Sequence, residues 1–471
     1  MADEPIASRS TPNTGKPGSA MHETAQITDE RLWAVQKALE RAQDLVARSL
    51  VAGDKRLEVV YLKTIADEDK VVRQFIRPFF EAEGDAFADY LASLVYQVPY
   101  TTPEAAVDLV LNGHLLVAYR GRAFLYDIRI VKDDQPLPAD IEATLHGPQN
   151  ALGHNLLLNV HLLRNRYRNA ALAVELAELG EKSHTNIALL YDATRVRPKS
   201  LAILREKVQK GGIEVLFAAG QLERAFARPH RTLFPTFMVT DRPDRIVYEL
   251  NRGKVVVLIH GTPFALVAPG YFFDFFSAMD DLYYPGWVRT FFLGLRFTAL
   301  VVTLITPGLY VALTAFNPGV FRAQLTLSIA GSRAAVPFSA FFEMLFMMIA
   351  LELLLEASVR LPKSISATST TVGGLILGQA MTAAGLVSDI MLIVAAVVAI
   401  SSFVIPVNAM FYAVRIARYP ILLLCSLYGL VGLGIGLVGL IFFLAGKESF
   451  GEPYLYLPFD PKPTEKGPEG A

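Results

Sequence analysis

The sequence predicts a cytosolic α/β domain of two subdomains followed by an α-helical transmembrane bundle of four to five spans, and three observations predict it. Of 471 residues, 52% are hydrophobic and 19% charged, whereas a soluble chain carries about 25% charged residues. The charge is also unevenly spread: residues 1–286 hold 69 of the 89 Lys, Arg, Asp and Glu side chains, and only 11 fall within 291–446. Finally, all eight histidines precede position 262 and the single cysteine, Cys425, sits in an apolar run. That excludes a disulfide framework and a cysteine-based zinc site. The net charge of -1 gives no pull towards nucleic acid.

Residues 1–26 are rich in Ser, Thr, Pro, Gly and Ala without an apolar core, so they are expected to be disordered and not a secretory signal. With nothing to export it, the polar region is expected to stay cytosolic. In the first subdomain, 27–138, Leu32, Val35, Leu39, Ala42 and Val46 recur at helical spacing and predict a helix over 27–51. A strand at 57–62 and a helix with Val71, Val72, Phe75 and Ile76 on one face follow. Apolar runs at 107–111, 114–119 and 123–128 are separated by Asn112-Gly113 and Arg120-Gly121, which predicts a meander. The Pro-containing stretch 133–138 reads as a hinge. The second subdomain, 139–286, is expected to hold a long helix over 150–179, a strand at 186–191, helices at 199–209, 222–227 and 243–250, and a hairpin of 254–260 with 264–268. An aromatic bridge, 271–287, leads into the membrane.

A helix needs roughly 20 residues to cross a bilayer. Apolar runs at 291–316, 336–358, 372–387, 390–412 and 421–445 supply the spans of the domain 287–446, with four crossings if the acidic second run is re-entrant. Arg289, Arg360, Lys363, Arg415 and Arg418 all face the cytoplasm if the third and fourth runs form a hairpin, while Arg322 and Arg333 then fall outside. The polar tail, 447–471, lies outside for five spans and inside for four.

Few residues suit catalysis. No Walker loop, dinucleotide fingerprint or zinc helix motif occurs, and His146, His154 and His161 lack matching acids. No enzyme, cofactor or metal site is therefore expected. Asp280 and Asp281 read as a solvated turn pair, and Arg164, Arg166 and Arg168 fan out over a helix as a solvated face or subunit contact. In the membrane half, Glu343, Glu352, Glu356 and Arg360 make an intramembrane charge cluster. Ionisable groups at that depth cost roughly 2.5 to 3.5 kcal/mol on insertion scales and mark function by default. Glu356 and Arg360 are four apart and pair on one helix face, with Glu352 on the same stripe; knitting neighbouring helices and bounding an ion path are the two readings. The Ser- and Thr-rich stretch 364–388 contributes the pore or gate candidates Ser366, Thr368, Thr371, Val372, Gly374, Gly378 and Gln379. Its polar face suits a wet interior in an assembly, and its glycines equally suit close packing within one subunit. The alternative class is a secondary transporter with a cytosolic regulatory domain, against which stands the absence of a repeat between the halves of 291–446.

From about residue 44 to 461 the order of features resembles the A subunit of the GerA family of spore germination receptors. In the polar half the residues that carry the resemblance are Leu233-Phe234-Pro235-Thr236, Asp241-Arg242-Pro243-Asp244, Leu250, Gly253, 255–263 and 269–276. In the membrane half they are Val336-Pro337-Phe338, Glu343, Glu352, Glu356-Ala357, Arg360-Leu361-Pro362, Val372-Gly373-Gly374, Gly378-Gln379-Ala380 and Gly385-Leu386-Val387-Ser388, followed by Ser449-Phe450-Gly451 and Pro453-Tyr454 in the tail. Gln149 and Asn150, Ser339 and Leu355 depart from the family's charged, proline and basic residues respectively. The resemblance implies an inner spore membrane protein whose polar domain faces the spore core. It also implies a permease-like B subunit that senses the nutrient, a lipoprotein C subunit, and self-assembly of A subunits into a nutrient-gated cation channel.

Overall fold

The computed structural model describes residues 27–82, 86–95, 97–129, 147–148, 150–226 and 233–456. The expected disorder of 1–26, the hinge at 133–138, His146 and the tail beyond 456 lie outside these residues. The chain divides into two compact units, Met1–Lys132 with Arg168–Ala170, and Asp133–Tyr167 with Ala171–Ala471.

The first unit runs α1 (Glu30–Ala38), β1 (Leu45–Ala52), β2 (Lys55–Leu62), α2 (Glu68–Val71), a π turn (Val72–Ile76), α3 (Arg77–Glu81), α4 (Ala86–Ser93), β3 (Gln97–Pro99), α5 (Pro103–Leu111), β4 (His114–Tyr119) and β5 (Arg122–Asp127). Its antiparallel sheet has the order β1-β2-β4-β5-β3. Strand alternation sends Val60, Leu62, Leu116 and Leu125 to α1 and α5, and Val59, Leu115, Val117 and Tyr126 to α2, α3 and α4. Two expectations fail here. The helix over 27–51 stops at Ala38, because 45–52 pairs with β2 from Leu45 opposite Leu62 to Ala52 opposite Lys55; pairing across a turn overrides local periodicity. The strand at 107–111 is instead the end of α5, begun by the Thr102 cap and Pro103. Asn112-Gly113 is therefore a helix stop, whereas Arg120 and Gly121, both with positive φ, do turn the β4–β5 hairpin.

The second unit opens with α6 (Leu156–Arg166), β6 (Leu172–Leu179), β7 (Thr185–Asp192), α7 (Pro198–Lys210), α8 (Ala219–Phe226), β8 (Met238–Thr240), α9 (Pro243–Asn251), β9 (Val255–Ile259) and β10 (Ala265–Ala268). Its antiparallel sheet has the order β6-β7-β9-β10-β8. One face packs on α6 and α9, the other on α7 and α8. The expected long helix over 150–179 ends at Arg166, since 172–179 is the edge strand paired along β7.

Two 3-10 turns, Phe272–Phe276 and Met279–Leu282, lead into the helical part: α10 (Gly286–Ala315), a 3-10 turn (Pro318–Val320), α11 (Ala323–Arg333), α12 (Ala340–Arg360), α13 (Lys363–Ala383), α14 (Asp389–Phe403), α15 (Asn408–Ala445), and a small hairpin of β11 (Glu448–Ser449) with β12 (Glu452–Pro453). Of these, α10 and α15 are long and apolar enough to cross a membrane. The expected run at 390–412 is broken, with α14 ending at Phe403 and α15 starting at Asn408, because Pro406 disfavours helical backbone at Ile405 and lacks an N–H. Within α15 the chain reverses at Gly429, whose φ of 60° and ψ of -135° lie in glycine's range. A Cβ on Gly436 would lie 3.2 Å from Ile421 Cγ1, whereas 15 residues of straight helix span about 22 Å. The element is thus two antiparallel arms, 408–428 and 430–445. At the crossing Gly432 leaves no room for a Cβ, which would overlap the Leu424 carbonyl oxygen.

Candidate functional site

The four predicted intramembrane charges occupy three separate places. Glu343, buried in the first turn of α12, accepts hydrogen bonds at Oε1 from the Ser388 backbone N–H (2.7 Å) and hydroxyl (2.6 Å), and at Oε2 from Arg333 Nε (3.2 Å). Ser388 in turn caps α14, so this carboxylate fastens the end of α11 and the α13–α14 turn to α12. Glu352 does not join Glu356. It reaches the first arm of α15, where Oε1 accepts from Arg418 Nη2 (2.6 Å), Arg415 Nε (3.2 Å) and the Tyr419 hydroxyl (3.3 Å), and Arg415 Nη2 also pairs with it. Arg415 lies 4.7 Å over the Phe411 ring, which shares the cation's field. Glu356 and Arg360 do pair, at 2.6 Å, but both are exposed, where such a pair contributes little. Arg415 and Arg418, three residues apart between the fourth and fifth apolar runs, are the sequence signal that Glu352 has partners. Counted only as topology markers, they gave no hint of this contact.

The small-residue stretch forms α13, a peripheral helix with two different sides. Gly374 faces Leu354 of α12 and Gly378 faces Leu392 of α14; Cβ atoms there would meet those side chains at 3.3 and 3.5 Å. Ser366 donates to the Ser358 carbonyl (2.7 Å). Thr368, Thr371, Val372 and Gln379 are exposed, and the Thr371 hydroxyl is bonded back to its own helix at Ala367 O (2.9 Å). The glycines are consumed by packing within the subunit, while the uncovered side interleaves Thr368, Thr371 and Gln379 with Val372 and Leu375.

The junction with the polar region carries the strongest electrostatics. Asp274 lies between Lys254 Nζ (2.5 Å) and Arg252 Nη1 (2.9 Å), and buried Glu249 meets Lys254 (2.8 Å), Arg252 (3.3 Å) and Arg245 (3.5 Å). Burial works to raise the Asp274 carboxyl, but the Lys254 and Arg252 charges outweigh it and hold it down at about 2. Asp281 corrects the expectation of a solvated turn pair: it is buried, accepts from the Ala278 N–H (2.9 Å) and binds Arg296 of α10 (3.0 Å to Nη2). Arg164 is likewise buried rather than solvated, because α6 packs that side against the sheet.

The tail also returns to this subdomain. Lys447 Nζ donates to the Phe234 carbonyl, Ser449 Oγ to Thr236 O (3.1 Å), Ser200 Oγ to Phe450 O (3.2 Å), and Arg197 to Glu452 (3.2 Å). Phe450 packs 4.6 Å from the Phe237 ring. Burial pushes the Lys447 ammonium down to about 8, against the pull of Glu223. One subdomain therefore holds both the first turns of α10 and the strand of chain that follows α15. Among the described residues, no group of three His, Cys, Asp or Glu could hold a metal ion. His154 bonds Gly261 O and His161 bonds Asn165, as packing groups do.

A family profile described as Bacillus/Clostridium GerA spore germination protein matches residues 34–466. The chain belongs to the GerA family. Spore germination protein GerLA of Bacillus cereus is 30% identical over 431 residues, covering 89% of this chain and 88% of that protein. Spore germination protein A1 of Bacillus subtilis (strain 168) is 27% identical over 439 residues, covering 92% and 91%. The crystal structure of the N-terminal domain of the A subunit of the Bacillus megaterium spore germinant receptor GerK3 matches with 17% identity and a TM-score of 0.37, over 51% of this chain and 94% of that one. In this GerA-family chain, the motif residues Asp241-Arg242-Pro243-Asp244 begin α9, where Arg242 pairs with Asp244 (2.5 Å) and Tyr283 donates to Asp244 (3.0 Å).

Proposed function

We propose that this chain is the A subunit of a nutrient-responsive spore germination receptor, with copies assembled around a cation path lined by α13. A permease-like B subunit senses the germinant and a lipoprotein C subunit completes the complex. The observation that carries the pore assignment is the exposed face on which Thr368, Thr371 and Gln379 interleave with Val372 and Leu375, on a helix whose glycine side is already packed. Hydroxyl and amide groups are a poor match for lipid tails and a good one for a wet interior. Germinant binding at the partner opens the path by preferring the open state over the closed one.

We read α10, α12, α13, α14 and the two arms of α15 as passes through the inner spore membrane. Because α10 leaves the same subdomain that the tail rejoins, the count is even and the polar region and tail share the spore-core side. This reading revises the expected four or five spans to six. The test is replacement of Thr371 or Gln379 by Leu in the assembled receptor. Altered germinant-triggered cation release is expected, and unchanged release from a normally assembled complex would sink the pore assignment.

A further inference from the structure

The helix α12 buries one side and leaves the other bare. Ala340, Met344 and Met348 cluster with Tyr310 and Val311 of α10, Met347 clusters with Met381 of α13 and Ala395 of α14, and Glu352 reaches α15. The opposite side carries Phe342, Leu345, Phe346 and Ile349. With Phe338 just before the helix and Leu386 from the α13–α14 turn, they line a hollow of about 400 Å³. Phe338, Phe342, Phe346 and Ile349 are 46% to 59% exposed, so the hollow is an open groove. Every side chain that lines it is a hydrocarbon. From Phe338 to Ile349 it follows about 16 Å of helix rise. The groove begins at the end of the bundle away from the polar subdomain: α10 leaves that subdomain at Phe297, packed on Phe276 (5.1 Å), and joins Ala340 only through Tyr310 and Val311 near its other end.

We infer that this groove is a binding site for one acyl chain of a phospholipid in the leaflet away from the polar subdomain. Three observations select a lipid tail as the occupant. The lining offers water no hydrogen-bond partner, and a hollow of that kind stays dry. Its length of about 16 Å matches the roughly 15 Å that one leaflet contributes to a hydrocarbon core of about 30 Å. Its walls carry three phenylalanines and no small residue, whereas helices meet in membranes through small residues that let backbones approach, as Gly374 and Gly378 of α13 do. A flexible chain follows the gap beside the rings, which a second helix would only bridge. The two uncovered flanks then have different surroundings, lipid along α12 and the ion path along α13. This rests on the membrane-spanning reading of α12.

The first measurement is organic phosphate retained by the full chain after extensive washing in mild detergent. The unaltered chain is expected to keep one phospholipid, and the Phe342→Ala/Phe346→Ala chain to lose most of it. Val431→Ala/Ile435→Ala removes side chains of similar exposure from the second arm of α15 and is expected to keep the lipid. Equal retention by the groove variant and the unaltered chain overturns the site, as does an unaltered chain that keeps none. The second measurement identifies the occupant. The chain has two tryptophans, Trp33 and Trp287, so W33F/W287F gives a background free of indole, into which Phe342→Trp or Val431→Trp is placed. Each chain is reconstituted into vesicles of phosphatidylcholine and phosphatidylglycerol with brominated acyl chains, and both reporters are expected to be quenched. A quenched Val431→Trp beside an unquenched Phe342→Trp overturns the lipid site and gives the groove to a protein partner, such as a second copy, while leaving the spanning reading intact. If neither is quenched, the spanning reading falls and the site with it.

Discussion

The two α/β sheets are built on one plan and spend their surfaces differently. Strand order β1-β2-β4-β5-β3 in the first is repeated as β6-β7-β9-β10-β8 in the second. In each, the first helix and the one before the last two strands cover one face, and the helices between the second and third strands cover the other. The first sheet is closed by its own helices, with Asp44, Glu58 and Thr64 among its few buried polar groups. In the second sheet, the α6–α9 core runs on into Leu300 and Leu304 of α10 and Met410 and Val414 of α15, and the α7–α8 core takes in Phe450 of the tail. Buried Arg164, Arg242, Arg245, Glu249, Lys254, Asp274 and Asp281 crowd the same half. The difference teaches that a sheet with two apolar faces tolerates very different outer partners. A seam against an apolar helical bundle brings desolvated charge, which holds only when each ion is paired.

The largest expected effect tests that seam. Asp274→Asn leaves Lys254 and Arg252 short of a carboxylate and is expected to cost about 3 to 5 kcal/mol, seen as a lowered thermal transition of the second unit with the first unchanged; equal loss in both would break the comparison. The pH dependence has a definite sign. The folded carboxyl, at about 2, lies below the ordinary value of 3.8, so its stabilisation is present above about pH 4 and is lost as the pH falls towards 2. Acid unfolding followed by hydrogen exchange is expected to open the second unit first in that window.

Next is Phe450→Ala, which removes the ring packed on Phe237 and is expected to cost about 3 kcal/mol locally. Proteolysis is expected to cut the chain after Lys447 while sparing the first unit, and an unchanged cleavage pattern would show that the tail does not brace the second sheet. Smaller still is Gly432→Ala, at about 1 to 3 kcal/mol, because its Cβ must push Leu424 away from the second arm of α15. Gly434→Ala, with open space around it, is the paired control and is expected to leave the melting temperature within error.

Much of the helix and strand pattern was legible. The strands at 57–62, 114–119 and 186–191, the helices at 199–209 and 243–250 and the hairpin of 254–260 with 264–268 fall close to β2, β4, β7, α7, α9 and β9–β10, because alternation and helical spacing are local properties. The edge strands β1 and β6 were not legible, since Val46 and Val174 sit at spacings that suit either a helix or a strand and only the partner strand decides. Of the candidate site, the Gly-rich and hydroxyl-rich sides of α13 were visible as composition. The division of Glu343, Glu352 and Glu356 among three partners was hidden, because Arg333, Ser388, Arg415 and Arg418 lie on other elements.

By itself the sequence determined that a charged α/β part precedes an apolar helical part near residue 287, and that the chain resembles the GerA family. Burial in water or in lipid depends on composition, which is written residue by residue. Only the tertiary structure decided that α15 reverses at Gly429, that Glu352 binds two arginines, and that the tail rejoins the second sheet. Each of those depends on which atoms meet across tens or hundreds of residues, and spacing along one segment carries no record of it.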